Sequence, residues 1–540
     1  MAATTTDLRM SWLARGDAAD AGAMVGSIAG DGDGRSALNL ALAVFSLIAL
    51  AVLARPAVTK LALLIRRKRV LQAVPLAPES VPILGHALTL MKNVPWDKFC
   101  EWARNESAPL VRINIMDKDL VLLDDPQLIK QVFQSRMSRY GKDTEFTYYP
   151  FMPILGSGLV TAEGPLWRKQ RSMVSVHFRV EILDEIVGIS KRAIDRLVER
   201  LEPLRGTGKP SNIAEEFRHL TLQVIGEAIL SMSHEEADRV LPFLYLPIME
   251  EANLRSLRPW REFIPNAQWF RHRRRIADLD AYIVGVLRKR WSERYPHAKL
   301  AATNGDGAGG AKTSLPVRDT IDRIMDDVAF MGGKWNAVVE KQLCYEVKTF
   351  MLAGHETSAA MLAWSLYELT QNPACLAKVR EEADRVFPTD DAVPTKDEVE
   401  KMDYTYAVLK ETLRKYSVVP TVVRVSKAED DMHGYKIPPG THMAILIQGV
   451  HHRPDIWPEP DKFKPERFLA PNVVKPYTFL PFIDGPRNCL GQHLALIEGR
   501  VMLAYIVKRF KFEPFSDKEG QKHATVIPIA PRHNMRMLVE

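Results

Sequence analysis

The chain has 540 residues, 46% of them apolar and 8% aromatic, enough to bury a substantial core in several domains or in one large enzyme fold. Its 73 basic side chains against 66 acidic ones leave a net charge of +7, too modest at this length to support nucleic-acid binding, while acidic partners or an anionic membrane surface stay open. The four cysteines, Cys100, Cys344, Cys375 and Cys489, stand far apart, which argues against a zinc site or a disulfide framework and for a reducing compartment.

Residues 1–36 read as a polar leader. Asp7, Asp17, Asp20, Asp31 and Asp33 set it apart from transit peptides, which are poor in acids, and from secretory signals, which start basic. Residues 37–54, ALNLALAVFSLIALAVLA, are near the short end of what spans a bilayer as a helix, and past Arg55 and Pro56 a second apolar patch runs to Ile65. Arg66, Arg67, Lys68 and Arg69 follow at once, which by the positive-inside rule puts everything after them in the cytosol. A retained membrane anchor is expected over 37–65. A basic and proline-rich joint over 66–88 is expected to act as a stiff tether.

The body, 89–540, is mainly helical in pattern, with strand-like runs at 110–115, 119–125, 422–426 and 442–450. Residues 297–316, rich in glycine and alanine and without periodicity, read as a flexible surface insertion.

Trp167 and Arg171, four apart on one helical face, offer an indole N–H and a guanidinium that together can hold an anion; a core tryptophan beside a surface arginine is the plainer alternative. Residues 335–370 are helical throughout, and their middle reads MLAGHETSAA. Gly354 is a poor helix former and Thr357 can donate to the carbonyl four residues back, so the helix is expected to loosen here. A small residue that admits a ligand then lies one turn from a hydroxyl, with Glu356 beside it. Acid and alcohol in a helix groove can deliver protons, although a threonine satisfied by its own helix looks the same in sequence. His355 lacks the second histidine of a zinc helix. In KETLRKY, Glu411 and Arg414 share a helix face among apolar neighbours, and such a pair, if buried, needs a further partner; Arg467 of FKPERF is a candidate.

The last constellation is PFIDGPRNCLGQ, 481–492. Cys489 precedes a helix, whose dipole lowers a thiol pKa, and glycines on both sides give a flat ligand clearance. With no second cysteine nearby and His493 alone four residues on, a tetrahedral zinc set is incomplete, and one thiolate suits a metal whose other ligands come from a cofactor, as in haem iron.

Taken in order, these motifs resemble the cytochrome P450 family of haem-thiolate monooxygenases. Phe482, Gly485, Arg487, Cys489 and Gly491 fit its F-x-x-G-x-R-x-C-x-G loop. AGHETS resembles its oxygen-activating helix, Glu411 and Arg414 its E-x-x-R, and 465–468 its P-E-R-F, with Trp457, Pro460 and Phe463 upstream. The resemblance implies a mainly α fold, a large helical domain with a smaller β-rich one, and haem b between the long central helix and the cysteine-loop helix. It makes Cys489 the axial iron ligand and Trp167, Arg171, Arg424 and Arg487 the partners of the haem propionates. Gly354, Phe482, Gly485 and Gly491 become further cofactor contacts. Glu356 and Thr357 become the proton-delivery pair, and Glu411, Arg414 and Arg467 a structural brace.

The implied reaction inserts one atom of O2 into a lipophilic substrate, by hydroxylation or epoxidation. NADPH supplies the electrons through a flavoprotein reductase, to which Arg168 and Lys169 present charge unless they are merely solvated. Apolar segments at 145–159, 418–423 and 526–531 resemble pocket linings, without separating sterol, terpenoid or carotenoid, and fatty acid. Trp260, Phe263 and Trp269 in 260–275 mark a membrane contact or a packed helix connection. The endoplasmic reticulum is the expected membrane, a plastid the alternative. Two other functions stay open: a reductase-independent hydroperoxide isomerase or dehydratase of the same fold, and a non-enzymatic membrane haem sensor or carrier.

Overall fold

The computed structural model describes residues 34–105, 108–178, 181–295, 319–326, 335–522 and 528–540. The expected insertion at 297–316, and the leader up to residue 33, lie outside the described residues. The chain divides into two units, Met1–Val70 and Leu71–Glu540.

In the first unit a single helix, Gly34–Leu71, runs through positions 55 and 56 without a break. The Thr59 hydroxyl donates to the Arg55 carbonyl at 2.8 Å. Leu40, Phe45, Leu47, Leu50, Leu61 and Ile65 are all exposed along it. Among the described residues, no helix is long and apolar enough to cross a membrane. Of the expected 37–65 anchor, the side chains at 37, 38, 41, 51–53, 56 and 57 lie outside the described residues.

Among its described residues the second unit holds ten short strands: β1 (Val111–Ile115), β2 (Lys118–Leu123), β3 (Tyr140–Lys142), β4 (Ser211–Asn212), β5 (Thr421–Ser426), β6 (Asp430–Met432), β7 (Tyr435–Ile437), β8 (His442–Leu446), β9 (Phe512–Pro514) and β10 (Arg536–Val539). The main sheet has the order β1-β2-β8-β5-β3. Only β2 and β8 pair in parallel; the other neighbours are antiparallel. The expected strand at 442–450 stops at Leu446, and Ile447–His451 turn into a short helix. Gln448 N–H there bonds the Pro420 carbonyl at 3.0 Å, ending the ladder.

The 74–88 segment lies along β1 instead of standing clear as a tether. Its non-proline residues still have N–H groups to pair: Ala77 N–H donates to Arg112 O and His86 N–H to Asn114 O, both at 2.8 Å. His86 is fully buried.

The long helix, Ala337–Gln371, starts where the Asn336 side chain accepts from the N–H groups of Val338 and Val339. From Phe350 to Leu369 its residues are mostly buried, Trp364 completely, so it forms the axis of the largest core cluster. The Ile213–Leu230 helix packs across it. A Cβ on Gly354 would come 2.6 Å from Ile225 Cδ1, so the glycine sets this close approach. The helix does not loosen at Gly354: it is regular from end to end. The Gln492–Arg509 helix packs on both the long helix and the Asp403–Tyr416 helix. Its start, preceded by the cysteine loop, is thereby brought up to the long helix.

Candidate active site

A cavity of about 330 Å³ lies between the long helix and the cysteine loop. Ala353, Gly354 and Thr357 line it from the helix, and Phe482, Cys489 and Gly491 from the loop. Its volume is within the usual range for a small-molecule site. A wider groove of about 1020 Å³ holds Arg192, Arg196, Glu227 and His234. It contains none of the residues singled out by sequence, and its open, charged walls do not suit a lipophile.

The loop is held by its own backbone. Cys489 N–H donates to Phe482 O at 2.8 Å and Asn488 N–H to Gly485 O at 3.0 Å. Gly485 takes φ +79°, and a Cβ there would stand 2.6 Å from the Phe133 carbonyl oxygen. Its clearance thus serves the approach of the loop to the Phe133 backbone, not a flat ligand. Gly491 lines the cavity, with nothing within 4 Å of a Cβ built on it.

Cys489 is accessible on the cavity side. The protein packed around the loop pushes its thiol pKa up, against the opposing pull of the Gly491 N–H and Arg171. This corrects the expected depression. The helix proper begins only at Gln492, so its dipole acts from a distance while desolvation acts at the sulfur. A metal cation at the sulfur reverses that balance, since a coordinating thiol is deprotonated outright.

One corner of the cavity is strongly cationic. The antiparallel register of β3 and β5 sets Lys142 directly opposite Arg424. Arg487 joins them from the cysteine loop: all three line a small void, and Lys142 and Arg487 also line the main cavity. Like charges opposed across a ladder repel. Burial, and then Arg424 and Arg487, hold the Lys142 ammonium well below its ordinary pKa, while burial and then Arg424 lower Arg487 to about 10. Arg424 is almost fully buried, and its Nη2 has no hydrogen-bond partner. The Arg487 guanidinium lies 4.3 Å from the Trp167 ring centroid and donates to Ala162 O at 2.8 Å. Such a corner is completed by anions, and the two propionates of haem b fit it. Arg171 lines the cavity but spends two donors on the loop, to Asn488 O at 2.8 Å and Asn488 Oδ1 at 2.5 Å.

The acid and the alcohol of the long helix are not side by side. Thr357 lines the cavity and donates to Ala353 O at 2.6 Å. Glu356 turns away, its Oε2 4.0 Å from Arg218 Nε. His355 is fully buried, and burial lowers its pKa to about 3, so the ring stays neutral. Sequence reasoning missed Lys142, which lines the cavity, and Glu498 behind its wall; Tyr148, within the expected 145–159 lining, also borders the cavity. Glu498 accepts from the cavity-lining Ser358 hydroxyl at 3.1 Å, and burial raises its pKa to about 8.

Glu411 and Arg414, both fully buried, form a bidentate pair at 2.8 Å. Arg414 also donates to His451 O at 2.9 Å and Pro460 O at 2.7 Å, while Glu411 accepts from Lys464 N–H at 2.9 Å and Arg467 Nε at 3.3 Å. This network closes on itself away from the cavity.

A cysteine sulfur facing a cavity with a cationic corner fits a haem-thiolate site. The sequence model of the cytochrome P450 family matches residues 75–534, and the chain belongs to that family. It is 29% identical to cytochrome P450 4c21 of Blattella germanica, covering 88% of this chain and 94% of that one. Against cytochrome P450 4V2 of Homo sapiens the identity is 27%, over 84% and 87% of the two chains. Against the chloroplastic carotene epsilon-monooxygenase of Arabidopsis thaliana it is 28%, over 77% and 76%. The crystal structure of the cytochrome P450DA heme domain superposes with a TM-score of 0.72 at 24% identity, covering 86% of this chain and 96% of that one, and shows the same fold. The protein is therefore a haem b-containing P450 monooxygenase that uses O2, a redox partner and a small-molecule substrate.

Proposed function

We propose that this enzyme hydroxylates or epoxidises a lipophilic substrate, with electrons from NADPH delivered by a flavoprotein reductase, while held to a membrane by its 37–65 segment. The observation that carries the reading is one cavity bounded by Cys489 on the loop and Thr357 on the long helix, its other walls largely apolar: Phe178, Ile225, Phe350, Val418 and Val422.

In this reading the Cys489 sulfur would hold the haem iron, and the haem, when bound, would supply the oxygen activation and the oxygen transfer. Arg424, Arg487 and Lys142 hold the propionates, with Trp167 fixing the Arg487 plane and Arg171 steadying the loop through Asn488. Gly354, Phe482 and Gly491 border the ring, and Gly485 sets the loop against Phe133. The Thr357 hydroxyl rotates from Ala353 O to hand a proton into the cavity. Glu356, on the other side of the same turn, takes protons from the solvent side beside Arg218. Apolar walls exclude bulk water, which favours a lipophile. The Arabidopsis relative named for carotene puts carotenoids beside sterols and fatty acids among the classes to test.

Membrane attachment is supported by the exposed apolar side chains of the Gly34–Leu71 helix and by a second exposed set, Trp260, Phe263, Ile264 and Phe270. Trp269 is not part of that set: it is half-buried, its indole N–H donating to Glu262 O at 2.9 Å. Arg168 and Lys169 are exposed on the helix that carries Trp167, where an acidic reductase surface would meet them. An endoplasmic-reticulum location follows the basic cluster after residue 65.

Two substitutions test the assignment. Cys489→Ala abolishes the long-wavelength ferrous carbonyl band of thiolate ligation; persistence of that band would remove Cys489 as the ligand. Thr357→Ala keeps the haem but raises O2 consumption relative to product, measured with an oxygen electrode and product analysis. A substrate-binding spectral screen of the purified protein against sterols, carotenoids and fatty acids identifies the class, and a spin-state response to none of them sinks the lipophilic reading.

A further inference from the structure

A closed set of hydrogen bonds ties the cavity wall to the long helix, and neither the cysteine loop nor the cationic corner uses it. Glu346 stands about three turns before Thr357 on that helix and is fully buried. Its Oε2 accepts the Leu159 N–H at 3.0 Å, and its Oε1 accepts Gln342 Nε2 at 2.9 Å. Gln342 reaches the same segment: its Nε2 donates to Ser157 O at 3.0 Å and its Oε1 accepts from Ser157 Oγ at 2.8 Å. Gln170, from the Gly164–His177 helix, donates to Ser157 O at 2.8 Å. The segment sits hard against the helix, since a Cβ on Gly158 would come 2.3 Å from Thr349 Oγ1. Leu159 and Val160 then enter the cavity wall, as does Thr349.

We propose that Glu346 is a positioning residue for substrate binding, one that latches segment 157–160 to the long helix so that Leu159 and Val160 keep the shape of the cavity. The inference rests on the cavity being the site of a lipophilic substrate.

The latch is sensitive to charge. Burial raises the Glu346 carboxyl to about 7, opposed by the Leu159 N–H and the Gln342 amide, which favour the ionised form. The nearby charged groups are engaged elsewhere. Lys348, two residues on, bonds Asp280 at 2.6 Å, and Arg171 bonds Asn488. From segment 157–160 and the Gly164–His177 helix the groups that meet this site are Ser157, the Leu159 N–H and Gln170, all neutral. Ionised, Glu346 accepts from both of its donors. The burial that raises this pKa disfavours the ionised form inside the latch, and water reaches the carboxylate only when segment 157–160 lifts from the helix, so opening releases the proton. Segment 157–160 therefore loosens as pH rises through about 7.

The test uses the haem-loaded protein. Hydrogen–deuterium exchange gives the protection factor of the Leu159 amide a pH unit either side of about 7, and difference spectra give the Kd for phenylimidazole under the same conditions. In the wild type, protection falls about tenfold from the lower to the higher pH, and phenylimidazole binds more weakly in step. Glu346→Gln, which is neutral at every pH, holds both readings at their low-pH values. If Glu346→Gln fails to load haem, Gln342→Ala is read the same way, with protection lost at both pH values. A Glu346→Gln protein that keeps the wild-type pH profile overturns the proposal, as does lost protection with unchanged phenylimidazole affinity. Protection that follows the profile in a protein that binds no lipophilic probe supports the latch and overturns the lipophilic reading instead.

Discussion

Two clusters of buried arginine in this molecule are built on opposite rules. Around Arg414 every need is met from within: a bidentate Glu411, the carbonyls of His451 and Pro460, and Arg467 sharing the same carboxylate. Around Arg424 two basic groups face it, Lys142 across the ladder and Arg487 from the loop, Glu163 offsets them only in part, and one of its own donors has no partner. A buried charge costs too much to stand alone. The first cluster cancels that cost inside the fold, as a brace would; the second leaves it open for an anion, as the proposed propionate site requires. Burial and residue type are the same in both, so neither identifies function. The distinguishing quantity is whether the donors are satisfied.

The contrast is broken most severely at the brace. Arg414→Ala leaves Glu411 buried and unpaired, and stability should fall by about 3–5 kcal/mol, read from denaturant unfolding of the haem-loaded protein; a loss below about 1 kcal/mol would show that the pair behaves like a surface ion pair. At the corner the signs separate. Arg424→Met should speed haem transfer to excess apomyoglobin about tenfold or more, while the stability of the polypeptide itself is unchanged or improved because a like charge is gone. A variant that loses stability and keeps its haem would turn the corner into a second brace.

The smallest effect is a pH slope. The Lys142 ammonium is held below its ordinary pKa by burial, Arg424 and Arg487. An entering propionate favours the charged form, so haem binding takes up a proton wherever pH lies between the lowered value and the ordinary one. Haem affinity should therefore fall as pH rises through that window, and Lys142→Met should flatten the slope in haem titrations. A slope of the opposite sign would place Lys142 away from the propionates.

Much of the site was legible because its chemistry is local in sequence. The cysteine loop, Glu411 with Arg414, and the AGHETS turn of the long helix each fit within a few residues, and the fold class followed from their order. What was not legible depends on residues distant in the chain. Lys142 belongs to no motif; it matters because strand register puts it across from Arg424. Glu346 and Glu498 look in sequence like ordinary helix acids, and only packing shows them buried. The one available signal for Glu346 was a carboxylate inside the apolar run QLCYEVKTFML. Gly485 was legible as a glycine but not as to which neighbour it makes room for, which turned out to be Phe133. The Cys489 pKa went the other way because the sequence shows the nearby helix start but not the desolvation around the sulfur.

Strand β3 is three residues long and lies at the edge of its sheet, and its last rung joins Lys142 to Arg424. That rung sets two basic side chains against each other, and a dianionic porphyrin is the partner expected to let both carry their charge. A newly made chain waiting for its porphyrin presents a weakened strand edge, the kind of surface that invites chaperones and proteases. Co-feeding a haem precursor during expression should therefore raise the amount of intact protein, not only its colour.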